Sequence, residues 1–139
     1  MSTRRQMVER LCQTYGITAM YAFGSRAEET RAVLEKASAS FATGPSDVDI
    51  AVLADPPLSL DQKIHLMLAM EDLLGVPLVD LLMLHDADPF LAVNAIRGER
   101  LYVRDSYEAD KYELFVLRRA GDLAGLERER MALILGEHK

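Results

Sequence analysis

Asp47 and Asp49 stand two residues apart at the head of an apolar run, Ile50-Ala51-Val52-Leu53. On a β-strand, residues two apart share a face and lie roughly 6–7 Å from one another. Both carboxylates then project to one side, with Val48 and Ile50 turned to the other. Two such charges about 5 Å apart repel by roughly 3 kcal/mol at an effective dielectric of ~20. A positive species belongs between them. Hard cations held by carboxylate oxygen fit, and Mg²⁺ carrying a bound phosphate is the commonest such arrangement. Asp80 adds a third carboxylate inside an otherwise apolar run, Val79, Leu81 and Leu82. An ionised acid there is costly unless it is paired, metal-bound or at an open strand end.

Gly24-Ser25 follows a short apolar run, Ile17 to Phe23. Glycine lets the backbone turn tightly, and the next N–H groups can point at an anion, the more so where a helix begins. A Gly-Ser pair is equally the mark of an ordinary turn. Arg26 comes next and could reach a phosphate bidentately, or simply face solvent.

The elements that must position these residues can be read in order. Thr3 and Gln6 form a capping-box pattern for a helix over 3–15, closed by Gly16. Cys12 lies on its apolar stripe with Met7, Val8, Leu11 and Tyr15, as a buried structural thiol. A first strand spans 17–23, a helix 27–36, a small polar loop 37–45 and a second strand 47–54. Ser59 and Gln62 start a helix whose apolar face reads as Leu60, Ile64, Met67, Leu68 and Leu74, ending at Gly75. His65 on that helix reads as a surface residue. A third strand spans 76–84, with His85 and Asp86 in the loop beyond it.

Asp88-Pro89 caps a short helix to Arg97. A fourth strand covers 99–104. Asp105, with Glu108 in the capping-box position, starts a long C-terminal helix that is expected to break or bend near Gly121 and Gly125. Arg118, Arg119, Arg128 and Arg130 on it read as a solvated face, or as a partner surface. The expected architecture is α/β (α+β): one mixed sheet of three to four strands, flanked by helices.

At 139 residues, half of them apolar, the chain fits one domain with a sizeable core. No apolar run approaches the ~20 residues of a membrane span, and no signal peptide is visible. A single cysteine excludes an internal disulfide and suits a cytoplasmic protein. The net charge of −6 argues against a general nucleic-acid binder.

Taken together, Phe23-Gly24-Ser25-Arg26-Ala27, Ser46-Asp47-Val48-Asp49-Ile50-Ala51-Val52, Val79-Asp80-Leu81 and Gly98-Glu99-Arg100-Leu101-Tyr102 fall in the order of a known family. The chain resembles the DNA polymerase beta-type nucleotidyltransferase superfamily, and in size and layout its minimal nucleotidyltransferases (MNT). The resemblance implies a single nucleotidyltransferase domain over 1–139. It implies that Gly24, Ser25 and Arg26 hold the phosphates of ATP. Asp47, Asp49 and Asp80 would bind Mg²⁺, two ions in all, with Asp80 also helping to activate an acceptor hydroxyl. AMP would pass to that hydroxyl with release of pyrophosphate.

Many minimal members are antitoxins that adenylylate a tyrosine of a HEPN-type ribonuclease toxin, which implies such a toxin as partner. A homo- or hetero-oligomer fits this reading. Two departures stand out. Glu28-Glu29 replace the Arg-Gly that often follows, and 21 residues separate Ser25 from Asp47, an insertion at about 28–46. These keep two alternatives open: a binding module that neutralises its partner by complex formation alone, and an antibiotic nucleotidyltransferase acting on a small hydroxyl substrate.

Overall fold

The computed structural model describes residues 3–36, 39–41 and 47–136. Five α-helices and four strands alternate along them: α1 (Arg4–Tyr15), β1 (Ile17–Phe23), α2 (Ala27–Glu35), β2 (Val48–Ala54), α3 (Leu60–Leu74), β3 (Val79–Met83), α4 (Pro89–Ile96), β4 (Glu99–Val103) and α5 (Ser106–Leu135). The strands form one mixed sheet in the order β3-β2-β1-β4. β1 runs antiparallel to both neighbours, whereas β2 and β3 are parallel. This is the expected fold class, at the four-strand end of its range.

Alternation along the strands explains the layering. On β2, Val48, Ile50, Val52 and Ala54 pack with Val8 and Cys12 of α1, Val33 and Leu34 of α2, and Leu66, Met70, Leu73 and Leu74 of α3. The opposite face of the sheet, with Ala19, Tyr21, Phe23 and Ala51, meets Ala92, Ala95 and Ile96 of α4 and Val116 of α5. Covered on both faces and paired on both edges, β1 is buried along its whole length, which is why its sequence is almost entirely apolar. Cys12 is inside this core, where burial, with the Glu9 charge adding to it, pushes its thiol up to about 12. The structural reading of that cysteine holds.

The predicted caps of α1 and α3 form as reciprocal capping boxes, Thr3 with Gln6 and Ser59 with Gln62. At α5 the capping box does not form. Asp105 accepts from the Tyr107 N–H, but Glu108 pairs with Arg104 at 2.7 Å. The expected break at Gly121 and Gly125 is absent: α5 is one helix of 30 residues. Each glycine costs a helix about 1 kcal/mol relative to alanine, which flanking leucine, alanine, glutamate and arginine outweigh.

The α3 face also differs from expectation. Leu60, Ile64 and Leu68 are 72%, 40% and 50% exposed, while Leu66 and Met70 are fully buried. The helix carries two overlapping apolar stripes at helical spacing, and contact with the sheet selects the one through Leu66, Met70, Leu73 and Leu74. Leu66→Ala is therefore expected to cost about 2–4 kcal/mol and Leu68→Ala less than ~0.5 kcal/mol in denaturant unfolding. Equal costs would contradict this packing. The expected loop 37–45 and insertion 28–46 are only partly observed: residues 28–35 belong to α2, whereas 37–38 and 42–46 lie outside the described residues. No described helix is long and apolar enough to cross a membrane.

Candidate active site

Strand register brings the acidic residues together. In the parallel β2–β3 pair, Asp49 is directly opposite Asp80, and in the antiparallel β1–β2 pair Phe23 is opposite Asp49. The end of β1 thus meets the start of β2, so the turn at Gly24-Ser25 begins where Asp49 emerges. Asp49 lies on the same side of β2 as Ala51 and Leu53, the α4–α5 side, and Asp47 precedes the strand by one residue. Both Asp47 and Asp80 are exposed, and Asp49 is half-buried.

Asp49 feels the other two carboxylates. Burial, then the charges of Asp80 and Asp47, then a hydrogen bond with Asp80 all raise the Asp49 carboxyl above the usual carboxylate range. Among the described residues, none of the three forms an ion pair with arginine or lysine. Like charges crowded without a protein cation are the donor set that a hard divalent ion would relieve. Even so, no group of three His, Cys, Asp or Glu side chains among the described residues is arranged to hold an ion as it stands. Asp49 and Asp80 are the two of the three that the strand register sets opposite each other.

The turn itself is shaped around Asp49. Gly24 has φ +76°, and a Cβ there would overlap Asp49 Oδ2 and lie 3.4 Å from its Cγ. Only glycine admits both that backbone conformation and that approach. Gly24, Ser25 and Arg26 form a single 3₁₀ turn leading into α2, whose N-terminus has no side-chain cap. Uncapped N–H groups at a helix start favour an anion.

The turn opens into a cavity of about 660 Å³ lined by Gly24, Ser25, Ala27, Asn94, Arg97 and Glu99, among others. Arg26 does not line it. Its guanidinium pairs with Glu29 at 3.2 Å and stacks over the Phe41 ring, 4.9 Å from the centroid. Asn94 and Arg97 are cavity residues that sequence reasoning missed, although the Gly98–Tyr102 segment beside them carried part of the resemblance. His85 is elsewhere, its Nε2 2.8 Å from the Ala54 carbonyl oxygen at the other end of β2.

Comparisons with known proteins agree with this layout. The family model described as "Polymerase beta, Nucleotidyltransferase" matches residues 6–107. No curated protein matches. Among solved structures, one described as a minimal nucleotidyltransferase is 30% identical, with a TM-score of 0.52, over 69% of this chain and 86% of the other. A chain from a toxin–antitoxin structure with AMP-PNP is 24% identical, with a TM-score of 0.63, over 94% of each chain. One from the complex of the tri-AMPylated Shewanella oneidensis HEPN toxin with its MNT antitoxin is 22% identical, with a TM-score of 0.60, covering 94% of this chain and 92% of that one. With a sheet that sets paired acids beside a glycine-serine turn, and a family match across most of its length, this chain belongs to the polymerase beta-type nucleotidyltransferases.

Proposed function

We propose that this chain is a single-domain, Mg²⁺-dependent adenylyltransferase of the cytoplasm. In this reading it moves AMP from ATP onto a hydroxyl, a tyrosine, of a HEPN-type toxin and so acts as that toxin's antitoxin. The observation that carries the reading is the register of Asp49 against Asp80 beside Gly24. Asp49 and Asp80, with Asp47, would hold Mg²⁺, which when bound supplies charge neutralisation on the phosphate oxygens. The N–H groups of the Gly24–Arg26 turn and the start of α2 hold the phosphate chain. Asp80, which is exposed, would help activate the acceptor hydroxyl as its oxygen bonds to the α-phosphorus and pyrophosphate leaves. The toxin–antitoxin relatives, one with AMP-PNP and one with an AMPylated toxin, support the choice of nucleotide and acceptor.

Incubation with ATP, Mg²⁺ and the HEPN-type protein encoded beside it is expected to add the mass of AMP to that protein. An unmodified partner, with Mg²⁺–ATP binding intact, would contradict the acceptor assignment. The lack of three preformed ligands favours one second reading, neutralisation by complex formation alone. That reading predicts full neutralisation without ATP.

A further inference from the structure

We propose that the Arg97 guanidinium binds the outer phosphates of the nucleotide cradled at Gly24-Ser25, serving as the site's second phosphate-side arginine from a distant segment. The inference rests on the nucleotidyltransferase reading above and deepens it. The residues after Arg26-Ala27 are Glu28-Glu29, so the neighbouring sequence supplies no further cation. Arg26 itself is occupied by Glu29 and Phe41, with a side chain only 10% exposed. A bound triphosphate would then face a turn with backbone donors and little positive charge.

The β1–β4 pairing brings the missing charge. Ala22 is opposite Glu99. Just before Glu99, Gly98 lies against the backbone of Ala22 and Phe23, and Arg97 ends α4 beside it. The approach is close enough that a Cβ on Gly98 would overlap the Ala22 carbonyl oxygen and lie 3.0 Å from the Phe23 Cα. Glycine at 98 therefore lets the end of α4 rest on the end of β1, and Arg97 with Asn94 forms a wall of the cavity that Gly24 and Ser25 share.

Arg97 is exposed and makes no ion pair among the described residues. Two of the acids around the cavity are already paired, Glu29 with Arg26 and Glu99 with Arg31 at 2.8 Å. That leaves Glu28 as the acid opposing an anion there, and Arg97 as the cation attracting one. A planar guanidinium fork matches phosphate oxygens bidentately.

Calorimetric binding of Mg²⁺–AMP-PNP and of AMP to the full chain separates the possibilities. Arg97→Ala is expected to weaken AMP-PNP roughly tenfold and leave AMP within about twofold, with Arg97→Lys in between. Glu28→Gln should tighten AMP-PNP. Arg97 is also a cation at the C-terminus of α4, where it favours the helix dipole. A role confined to that would lower Tm and leave the AMP-PNP to AMP ratio unchanged, which would overturn the proposal. Arg97→Gln, which keeps helix propensity, carries the same test if the alanine variant folds poorly. Equal AMP-PNP binding by the wild type and the Arg97 variants overturns the Arg97 assignment alone. Wild-type protein that binds no AMP-PNP overturns the nucleotidyltransferase reading as well.

Discussion

Replacing Asp49 with asparagine is expected to reduce AMP transfer to the partner by about 10²–10³-fold, while the complex with that partner still forms. Asparagine keeps the volume and removes the charge, so the loss isolates electrostatic stabilisation of the transferring phosphate from any change of shape. Asp49 is the residue to change because it touches both halves of the site: Asp80 across the β2–β3 register and Gly24 at the turn. The same substitution has an opposite effect on the folded protein. Burial and the neighbouring acids raise the Asp49 pKa, so the folded chain holds this proton more tightly than the unfolded chain does. The associated stability is present below the ordinary carboxylate value of about 4 and is lost as pH rises through the raised native value. Asp49→Asn should therefore raise Tm at pH 7 and leave it unchanged at pH 3. Mg²⁺ should raise the Tm of the wild type and not of the variant. A variant that loses stability at pH 7 would show the carboxylate to be structural.

Gly98→Ala is expected to produce the largest loss of stability of any glycine substitution in the described chain, about 3 kcal/mol or roughly 10 °C in Tm. The added Cβ would meet backbone on the neighbouring strand, the Ala22 carbonyl oxygen and the Phe23 Cα, and backbone cannot swing aside as a flexible side chain does. Relief requires β4 to move off β1, which also carries Arg97 away from Gly24. Gly121→Ala and Gly125→Ala are the internal controls. Nothing lies within 4 Å of a Cβ at either position, both within α5. Each should gain up to about 1 kcal/mol from better helix propensity. Thermal unfolding of the three variants checks the set, and a neutral Gly98→Ala would refute the close strand approach.

The approach of Asp49 to Asp80 was legible because both sit in short strands that could be read from the sequence, and parallel pairing of β2 with β3 sets them opposite each other. The two local arguments behind it fared less well. Asp47 falls one residue before β2, so strand alternation does not place it, and Asp80 is exposed on the edge strand, where a carboxylate carries no burial cost. Other side-chain positions were set by tertiary contact. Arg26 reads as a phosphate ligand in the sequence, but a helical turn puts Glu29 within its reach and the chain returns Phe41 beneath its guanidinium. Arg97 is more than 70 residues from Gly24 and shares a cavity with it only because β4 pairs with β1. The α3 face was ambiguous for a related reason, since Leu60, Ile64 and Leu68 repeat as regularly as Leu66, Met70 and Leu73 do. Only the sheet beneath distinguishes the two stripes. Glycine at 121 and 125 suggested a break because propensity was weighed without the strong helix formers around it.

A crystal structure of the full chain with Mg²⁺ and AMP-PNP tests the central claim most directly. Metal density is expected between Asp49 and Asp80, with Asp47 drawn in to complete the ligands, and the phosphate chain on the Gly24–Arg26 turn. Metal and phosphates bound away from these carboxylates, or a nucleotide placed at the opposite end of β2 near His85, would contradict it.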